Sequence, residues 1–246
     1  AALQPRLAQV YNAAKIPVVE GYGMTESSPV IAVNTYIAGK RKIGTVGPPL
    51  KNVEVKISDI GEILVKGPNV MKGYYKDVEM TKKTIVNGLL HTGDVGTIDE
   101  DGMLKITGRV KEIFKTSMGK YVSPVLLENK IKESPFIDQI IVLGENQKFA
   151  AALIVPDFEH LSSWCKIKNI DYTTNDEMIT NRHVQNRIKK EIDCFNKQFG
   201  DAEKIKKFKF IDHEWTIDSG EITANLKLKR SLIQEKYKKE IESLFI

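Results

Sequence analysis

Four short segments gather residue types that can do chemistry. The first is Gly21-Tyr22-Gly23-Met24-Thr25-Glu26. Its two glycines let the backbone turn sharply or approach a ligand closely. Tyr22 offers a flat face, Thr25 a hydroxyl, and Glu26 a carboxylate suited to a hard cation. The plain alternative is a structural turn with Thr25 as a helix N-cap. The second is His91-Thr92-Gly93-Asp94, where an Asp can accept from paired hydroxyls such as a ribose diol; a simple Asx turn is the alternative. The third runs from Gly108-Arg109 through Lys111 and Lys115 to Met118-Gly119-Lys120-Tyr121. Arg109 precedes a change of sequence texture, where two domains would meet, and ligand pockets favour domain interfaces. A solvated charge run is its bland reading. The fourth is Leu226-Lys227-Leu228-Lys229-Arg230, preceded by Glu221-Ile222-Thr223. Alternating Lys and Leu also fits an edge strand with its lysines outward.

The elements that must position these residues follow from composition and pattern. The chain has 246 residues, 41% hydrophobic and 28% charged. That is ordinary globular composition, enough for one or two domains with a real core and too apolar for a disordered chain. The net charge of +5 is spread out: 14 Lys+Arg against 11 Asp+Glu up to Val110, and 23 against 21 after it. A nucleic-acid binder concentrates its basic charge, so that class is set aside. Cys165 and Cys194 form no CxxC pair and read as reduced thiols. The four histidines are scattered, without a zinc-binding spacing. No run approaches 18 apolar residues.

Three textures follow one another. Residues 1–36 read as a helix from Pro5 to Ala14 and a buried strand from Ile16 to Glu20, one unit of a parallel sheet. Residues 37–109 carry short apolar runs at Val53–Ile57, Glu62–Val65, Val95–Ile98 and Leu104–Ile106. Gly and Asp clusters separate them, with a hairpin turn at Asp99–Gly102, and one helix near Val78 to Val86 interrupts them. This predicts a small β-barrel or curled antiparallel sheet. Residues 110–246 are α+β. A helix starts at Ser123-Pro124, strands cover Ile137–Leu143 and Ala150–Val155, and two helices carry the stripes Val184/Ile188/Ile192/Phe195/Phe199 and Ile233/Tyr237/Ile241/Phe245. Packing on the domain's own sheet is expected of these stripes, with a membrane surface as the alternative.

Taken together, the four segments resemble the adenylate-forming superfamily of acyl-CoA synthetases, luciferases and nonribosomal-peptide adenylation domains. Tyr22 to Glu26 matches its Y-G-x-T-E core and Thr92-Gly93-Asp94 its T-G-D. Gly61-Glu62-Ile63 with Gly67, and Val70 to Tyr75, match the segment between them. Gly108-Arg109 through Pro124 matches the start of its small C-terminal domain. Glu112 to Ser117 and Thr223 to Arg230 resemble most the AMP-forming long-chain fatty-acid–CoA ligases, where Asn225-Leu226 replaces the usual Ser-Gly. Ala224 and Met118 depart from a Pro and a Gly common there.

The resemblance implies an α+β chain. Residues 1–109 would be the end of the large ATP- and acyl-binding domain, and 110–246 the small mobile domain. It implies the reaction fatty acid plus ATP plus CoA to acyl-CoA, AMP and pyrophosphate. Lys227 would bridge the carboxylate and α-phosphate. Thr25 would bond the α-phosphate and Glu26 would hold Mg²⁺. Tyr22 would lie against the adenine, Gly23 and Met24 would belong to the same ATP/AMP-binding segment, and Asp94 and Arg109 would hold the ribose. Lys111 would be the hinge, and Gly119 and Lys120 would line the CoA channel. The family's Ser/Thr/Gly-rich phosphate loop is not found, so the chain reads as the C-terminal part of a longer enzyme, inactive alone. Exposed apolar surface is then expected over residues 1–36, with pairing between copies of the chain or poor order there. The expected location is the cytoplasm, with a peripheral place on the inner membrane face as an alternative. Aryl or medium-chain acid ligases, and a noncatalytic module retaining the fold, are the rival readings.

Overall fold

The structure is a computed structural model that describes residues 3, 5–37, 39–225 and 227–246. Leu226 of the fourth segment lies outside the described residues. The chain divides into two compact units, 1–112 and 113–246.

The first unit opens with α1 (Pro5–Ala13), which buries only Ala8 among its described residues. Leu7, Val10, Tyr11, Ile16 and Val19 are exposed. The strand expected at Ile16 to Glu20 does not form. Lys15 takes a positive φ, and the Ile16 N–H turns back to Tyr11 O at 2.8 Å. That donor is therefore closed onto α1 rather than offered to a neighbouring strand, and extended backbone persists only where a ladder receives it. The ladder starts later, with β1 (Gly21–Gly23) antiparallel to β2 (Val30–Val33). The main sheet is antiparallel and curled like half a barrel. It holds β3 (Glu54–Ile57), β4 (Glu62–Lys66), β5 (Ile85–Val86), β6 (Leu89–Ile98) and β7 (Leu104–Arg109), in the order β3-β4-β6-β5 with β7 also on β6. Alternate residues face inward, so Ile63 and Val65 of β4 join Ile31, Ala32, Leu90 and Leu104 in a fully buried core. The helix α2 (Val78–Thr84) is capped by Asp77, which accepts from Met80 N–H. It ends two residues before the expected Val86 because Ile85 and Val86 pair with Leu90 and Leu89.

The second unit begins with a hairpin of β8 (Phe114–Lys115) and β9 (Tyr121–Val122), then α3 (Pro124–Ile131) with Pro124 in its first turn. A three-stranded sheet follows: β10 (Ile137–Leu143), β11 (Ala150–Pro156) and β12 (Ile205–Phe210), with β11 central and wholly buried. β10 and β11 are antiparallel, whereas β11 and β12 are parallel. A parallel pair needs a long crossover, and α4 (Phe158–Lys168), α5 (Asn175–Thr180) and α6 (Arg182–Asn196) supply it. On α6, Val184, Ile188 and Ile192 are buried as their spacing predicts. The helix stops at Asn196, whose side-chain amide bonds both backbone groups of Ile205, leaving Phe199 beyond its end. The last apolar stripe forms two helices, α7 (Arg230–Lys236) and α8 (Lys238–Leu244). They part at Tyr237, which leaves helical geometry while its hydroxyl accepts from Trp215 Nε1 at 3.1 Å. No helix among the described residues is long and apolar enough to cross a membrane.

Candidate active site

The first three segments meet through a distortion of β6. Glu62 pairs with Val95 and Leu64 with His91, so Thr92, Gly93 and Asp94 stand opposite Ile63 alone. Such a bulge bends a strand and re-aims its side chains. Gly93 takes the positive φ this needs, +70°. Glu62 fixes the bulge from the neighbouring strand. One carboxylate oxygen accepts from Gly93 N–H at 3.0 Å, and the other is 2.9 Å from His91 Nδ1. The Thr92 hydroxyl donates to Ile63 O at 2.8 Å and accepts from Asp94 N–H at 3.1 Å.

Asp94 is thereby turned inward, with its side chain 8% exposed. Its Oδ2 accepts from the Tyr22 hydroxyl at 2.7 Å, and its Oδ1 from Arg109 Nε at 2.9 Å. Arg109 is its cross-strand partner on β7 and remains 65% exposed. Tyr22, 72 positions away in sequence, is carried in by β1. Burial pushes the Tyr22 hydroxyl well above its ordinary pKa; a bond to Thr92 opposes this and the Asp94 carboxylate adds to it. Tyr22 is therefore a neutral donor at any physiological pH. An ionised carboxylate has about four lone-pair directions, and two are taken here, so Asp94 can still accept from a diol.

The turn after β1 holds Thr25 and Glu26 in a 3-10 segment, Thr25–Ser27. Buried Ser27 accepts from Met24 N–H at 3.0 Å and closes this turn. Gly23 is required by crowding, because a Cβ there would lie 1.7 Å from Pro29 O. Tyr22 and Met24 both pack, partly buried, against the core of the unit. Glu26 is braced twice: its carbonyl accepts from Met71 N–H at 2.9 Å, and its Oε1 from the Tyr74 hydroxyl at 2.7 Å. That bond to Glu26 is the main reason the Tyr74 hydroxyl titrates above its usual range. Glu26 Oε2 has no partner among the described residues. No cluster of three or more metal-ligating side chains occurs among them either. One open carboxylate oxygen fits the chemistry of Mg²⁺, which takes one or two carboxylates and fills the rest of its shell with other oxygens and water.

The remaining candidates lie at the junction and on the second unit. Lys111 is exposed in the 3-10 segment Val110–Glu112, one residue short of the boundary between the units. Gly119 sits at φ +79° at the tip of the β8–β9 hairpin, where an added Cβ would meet only Lys115 Cε, at 3.8 Å. Exposed Lys120 donates its N–H to Thr116 Oγ1 at 3.2 Å. Lys227 is exposed on a second hairpin. There Thr223 N–H donates to Lys227 O at 2.8 Å, and Lys227 N–H to Thr223 Oγ1 at 3.1 Å. Among the described residues one isolated bridge, Ile222 to Leu228, joins the two arms, so Lys227 and Leu228 sit in a held loop and not in an edge strand.

Two buried anchors hold the base of that hairpin, and sequence reasoning missed both. On one arm, Glu221 is wholly buried against the Lys236 ammonium. On the other, Arg230 Nη1 reaches both Glu128 oxygens, at 2.7 and 3.0 Å, and its Nη2 donates to Val142 O at 2.7 Å. Glu128 Oε1 also accepts from Val142 N–H at 2.7 Å. A signal existed: Glu128 occupies an i+4 position on the stripe of Pro124, Leu127 and Ile131 that α3 buries, where a carboxylate demands a partner.

Two family models match the chain. That for AMP-binding enzymes covers residues 1–75, and that for the AMP-binding enzyme C-terminal domain covers residues 111–246. The chain belongs to the AMP-binding, adenylate-forming enzyme family. It is 36% identical over 249 residues to the long-chain-fatty-acid–CoA ligase FadD15 of Mycobacterium bovis, matching all of this chain and 41% of that protein. To human long-chain-fatty-acid–CoA ligase 6 it is 36% identical, over 93% of this chain and 34% of the relative. It thus spans about two fifths or less of these curated relatives' length. Among solved structures it resembles the A domain of the carboxylic acid reductase of Segniliparus rugosus in complex with AMP and a carboxylic acid. The TM-score is 0.73 at 23% identity, covering all of this chain and 38% of that one. Apo MatB of Rhodopseudomonas palustris gives a TM-score of 0.65 at 28% identity, covering 98% and 45%.

Proposed function

We propose that this chain serves an AMP-forming acid–CoA ligase acting on long-chain fatty acids. The convergence of Tyr22, Asp94 and Arg109 on one carboxylate-centred site carries the reading, because a carboxylate with open lone pairs between an aromatic ring and a guanidinium matches the chemistry of a nucleoside. Asp94 takes the ribose hydroxyls, Arg109 adds a charge-assisted bond beside it, and Tyr22 lies against the adenine. Thr25 bonds the α-phosphate. Glu26 holds Mg²⁺, whose charge, when bound, neutralises phosphate oxygens. Lys227 supplies the cation that draws the fatty-acid carboxylate and the α-phosphate together, so catalysis is chiefly positioning and charge stabilisation. In the thioester half of the reaction, rotation about Lys111 removes Lys227 and brings the Gly119–Lys120 hairpin to the CoA thiol; a 3-10 segment at a boundary absorbs such a φ/ψ change. The long-chain assignment draws support from the relatives at 36% identity.

The test is acid-dependent ATP–pyrophosphate exchange by the native protein with palmitate, octanoate and benzoate. Palmitate should be preferred, and Lys227→Ala should abolish exchange while AMP still binds. Preference for benzoate or octanoate would move the protein to another branch of the family. Exchange unaffected by Lys227→Ala would refute the assigned role.

A further inference from the structure

A groove of about 680 Å³ lies on the second unit between the C-terminal end of α4, the loop that follows and the first half of α6. This lies within the range of small-molecule sites. Its chemistry is one-sided, although charge along the whole chain is interspersed. Lys168, Arg187 and Lys190 line it, with Asp171 as the single carboxylate. Arg187 is fixed in place. Its guanidinium stacks 4.4 Å from the centre of the Phe136 ring, and Nη2 holds Glu191 on the next turn at 2.7 Å. Phe136, buried behind the groove, in turn meets Trp164 edge-on at 6.1 Å, so one ring braces both Arg187 and Trp164 of the lining. One guanidinium N–H is used by Glu191, leaving several donors of that rigid fork. Neither the Lys168 nor the Lys190 ammonium has a hydrogen bond or ion pair among the described residues, and the Trp164 indole N–H has none either. The side-chain amide of Asn186 adds a further donor, and α6, a 15-residue helix capped by Asn181, adds the positive end of its dipole.

Unspent donors and three cations, one of them shared with Glu191, against Asp171 make a site that favours an anion rich in acceptor oxygens. We propose that this groove binds a phosphate-bearing anion, as a soluble organic phosphate or as the phosphorylated headgroup of a lipid. A compact divalent phosphate matches two flexible ammonium groups flanking a fixed guanidinium, which is bidentate toward phosphate. The indole beside it would cover the apolar part of the ligand. The site depends only on residues of the second unit and not on the ligase reading.

The experiment uses the whole chain and two probes. Inositol hexakisphosphate is titrated by calorimetry and by Trp fluorescence, and phosphatidylcholine vesicles with and without phosphatidylinositol bisphosphate are tested by co-sedimentation. The Lys168→Gln/Lys190→Gln variant should weaken binding roughly ten-fold or more, since two charge-assisted bonds are lost. AMP binding should not change. Saturable binding of the soluble probe alone supports a soluble phosphate, and variant-sensitive binding to the phosphoinositide vesicles supports a lipid headgroup. No saturable binding of either probe at low salt, or binding indifferent to the double substitution, overturns the proposal. Loss of AMP binding without loss of inositol phosphate binding would count against the ligase reading alone.

Discussion

Glu128 and Arg230 are separated by 102 positions, yet they join α3, β10 and the Lys227 hairpin through one ion pair. The Glu128 side chain is 9% exposed and that of Arg230 22%. Glu128→Ala would leave the Arg230 guanidinium partly buried without its carboxylate and Val142 N–H without its acceptor. Breaking a buried pair by removing one partner costs about 3–5 kcal/mol. Arg230 retains some solvent, so the low end applies, about 3 kcal/mol. With a urea dependence of about 2 kcal/mol per molar, the midpoint of the second unit should fall by about 1.5 M. Trp fluorescence reads that transition selectively, because the chain's two tryptophans, Trp164 and Trp215, both lie in this unit. Glu128→Gln keeps an acceptor for Val142 and should fall in between. A cycle with Arg230→Ala should return a coupling above about 1 kcal/mol. A coupling within about 0.3 kcal/mol of zero would refute the clamp. As a control, the exposed Lys238–Glu242 pair should be worth well under about 1 kcal/mol.

Gly23→Ala should abolish nucleotide binding and unfold the β1–β2 turn, since the added Cβ meets a carbonyl at 1.7 Å; wild-type affinity by calorimetry would contradict the crowding argument. Burial pushes the Glu221 carboxyl up, but the Lys236 ammonium and nearby hydrogen bonds outweigh it and hold it below the usual 4.5. Its folded pKa is depressed, so its stabilisation is full above pH 4.5 and fades as pH falls through and below that value. The stability gap between wild type and Glu221→Gln should therefore narrow in acid urea titrations; a gap that widens would invert the assignment. Glu62→Gln should weaken AMP binding without contacting the ligand, because the carboxylate that spans Gly93 and His91 shapes the Asp94 bulge. A neutral outcome in both affinity and its pH profile would remove Glu62 from that role.

Much of the candidate site was legible because its parts are short and chemically distinctive. A glycine pair beside Tyr22, a Thr-Gly-Asp and a lone Arg109 keep their identity whatever the intervening chain does. Their assembly was not legible. The bulge that aims Asp94 depends on which residues of β4 stand opposite it, and pairing register is a tertiary property. Local apolar runs mark β4, β10 and β11, but β12 is broken by Lys206, Lys207 and Lys209 and has no apolar run of its own; its pairing with β11 makes it a strand. The run at Ile16 to Glu20 shows the converse: apolar, β-branched residues form no strand when the backbone closes onto a helix end. Glu128 lies on the buried stripe of α3, which asks for a partner, but nothing local points to Arg230, 102 positions away, and only the fold brings the two together.

The most direct measurement of the central claim is calorimetric titration of the 246-residue chain with AMP and with 2′,3′-dideoxy-AMP, repeated on Asp94→Asn. A carboxylate that grips a ribose diol makes hydrogen bonds worth about 1.5–3 kcal/mol each. AMP should therefore bind at least about ten-fold more tightly than the dideoxy analogue, and Asp94→Asn should erase most of that difference. Equal affinity for the two nucleotides, or a preference that survives Asp94→Asn, would show that Tyr22, Asp94 and Arg109 converge for a structural reason and not to hold a nucleoside.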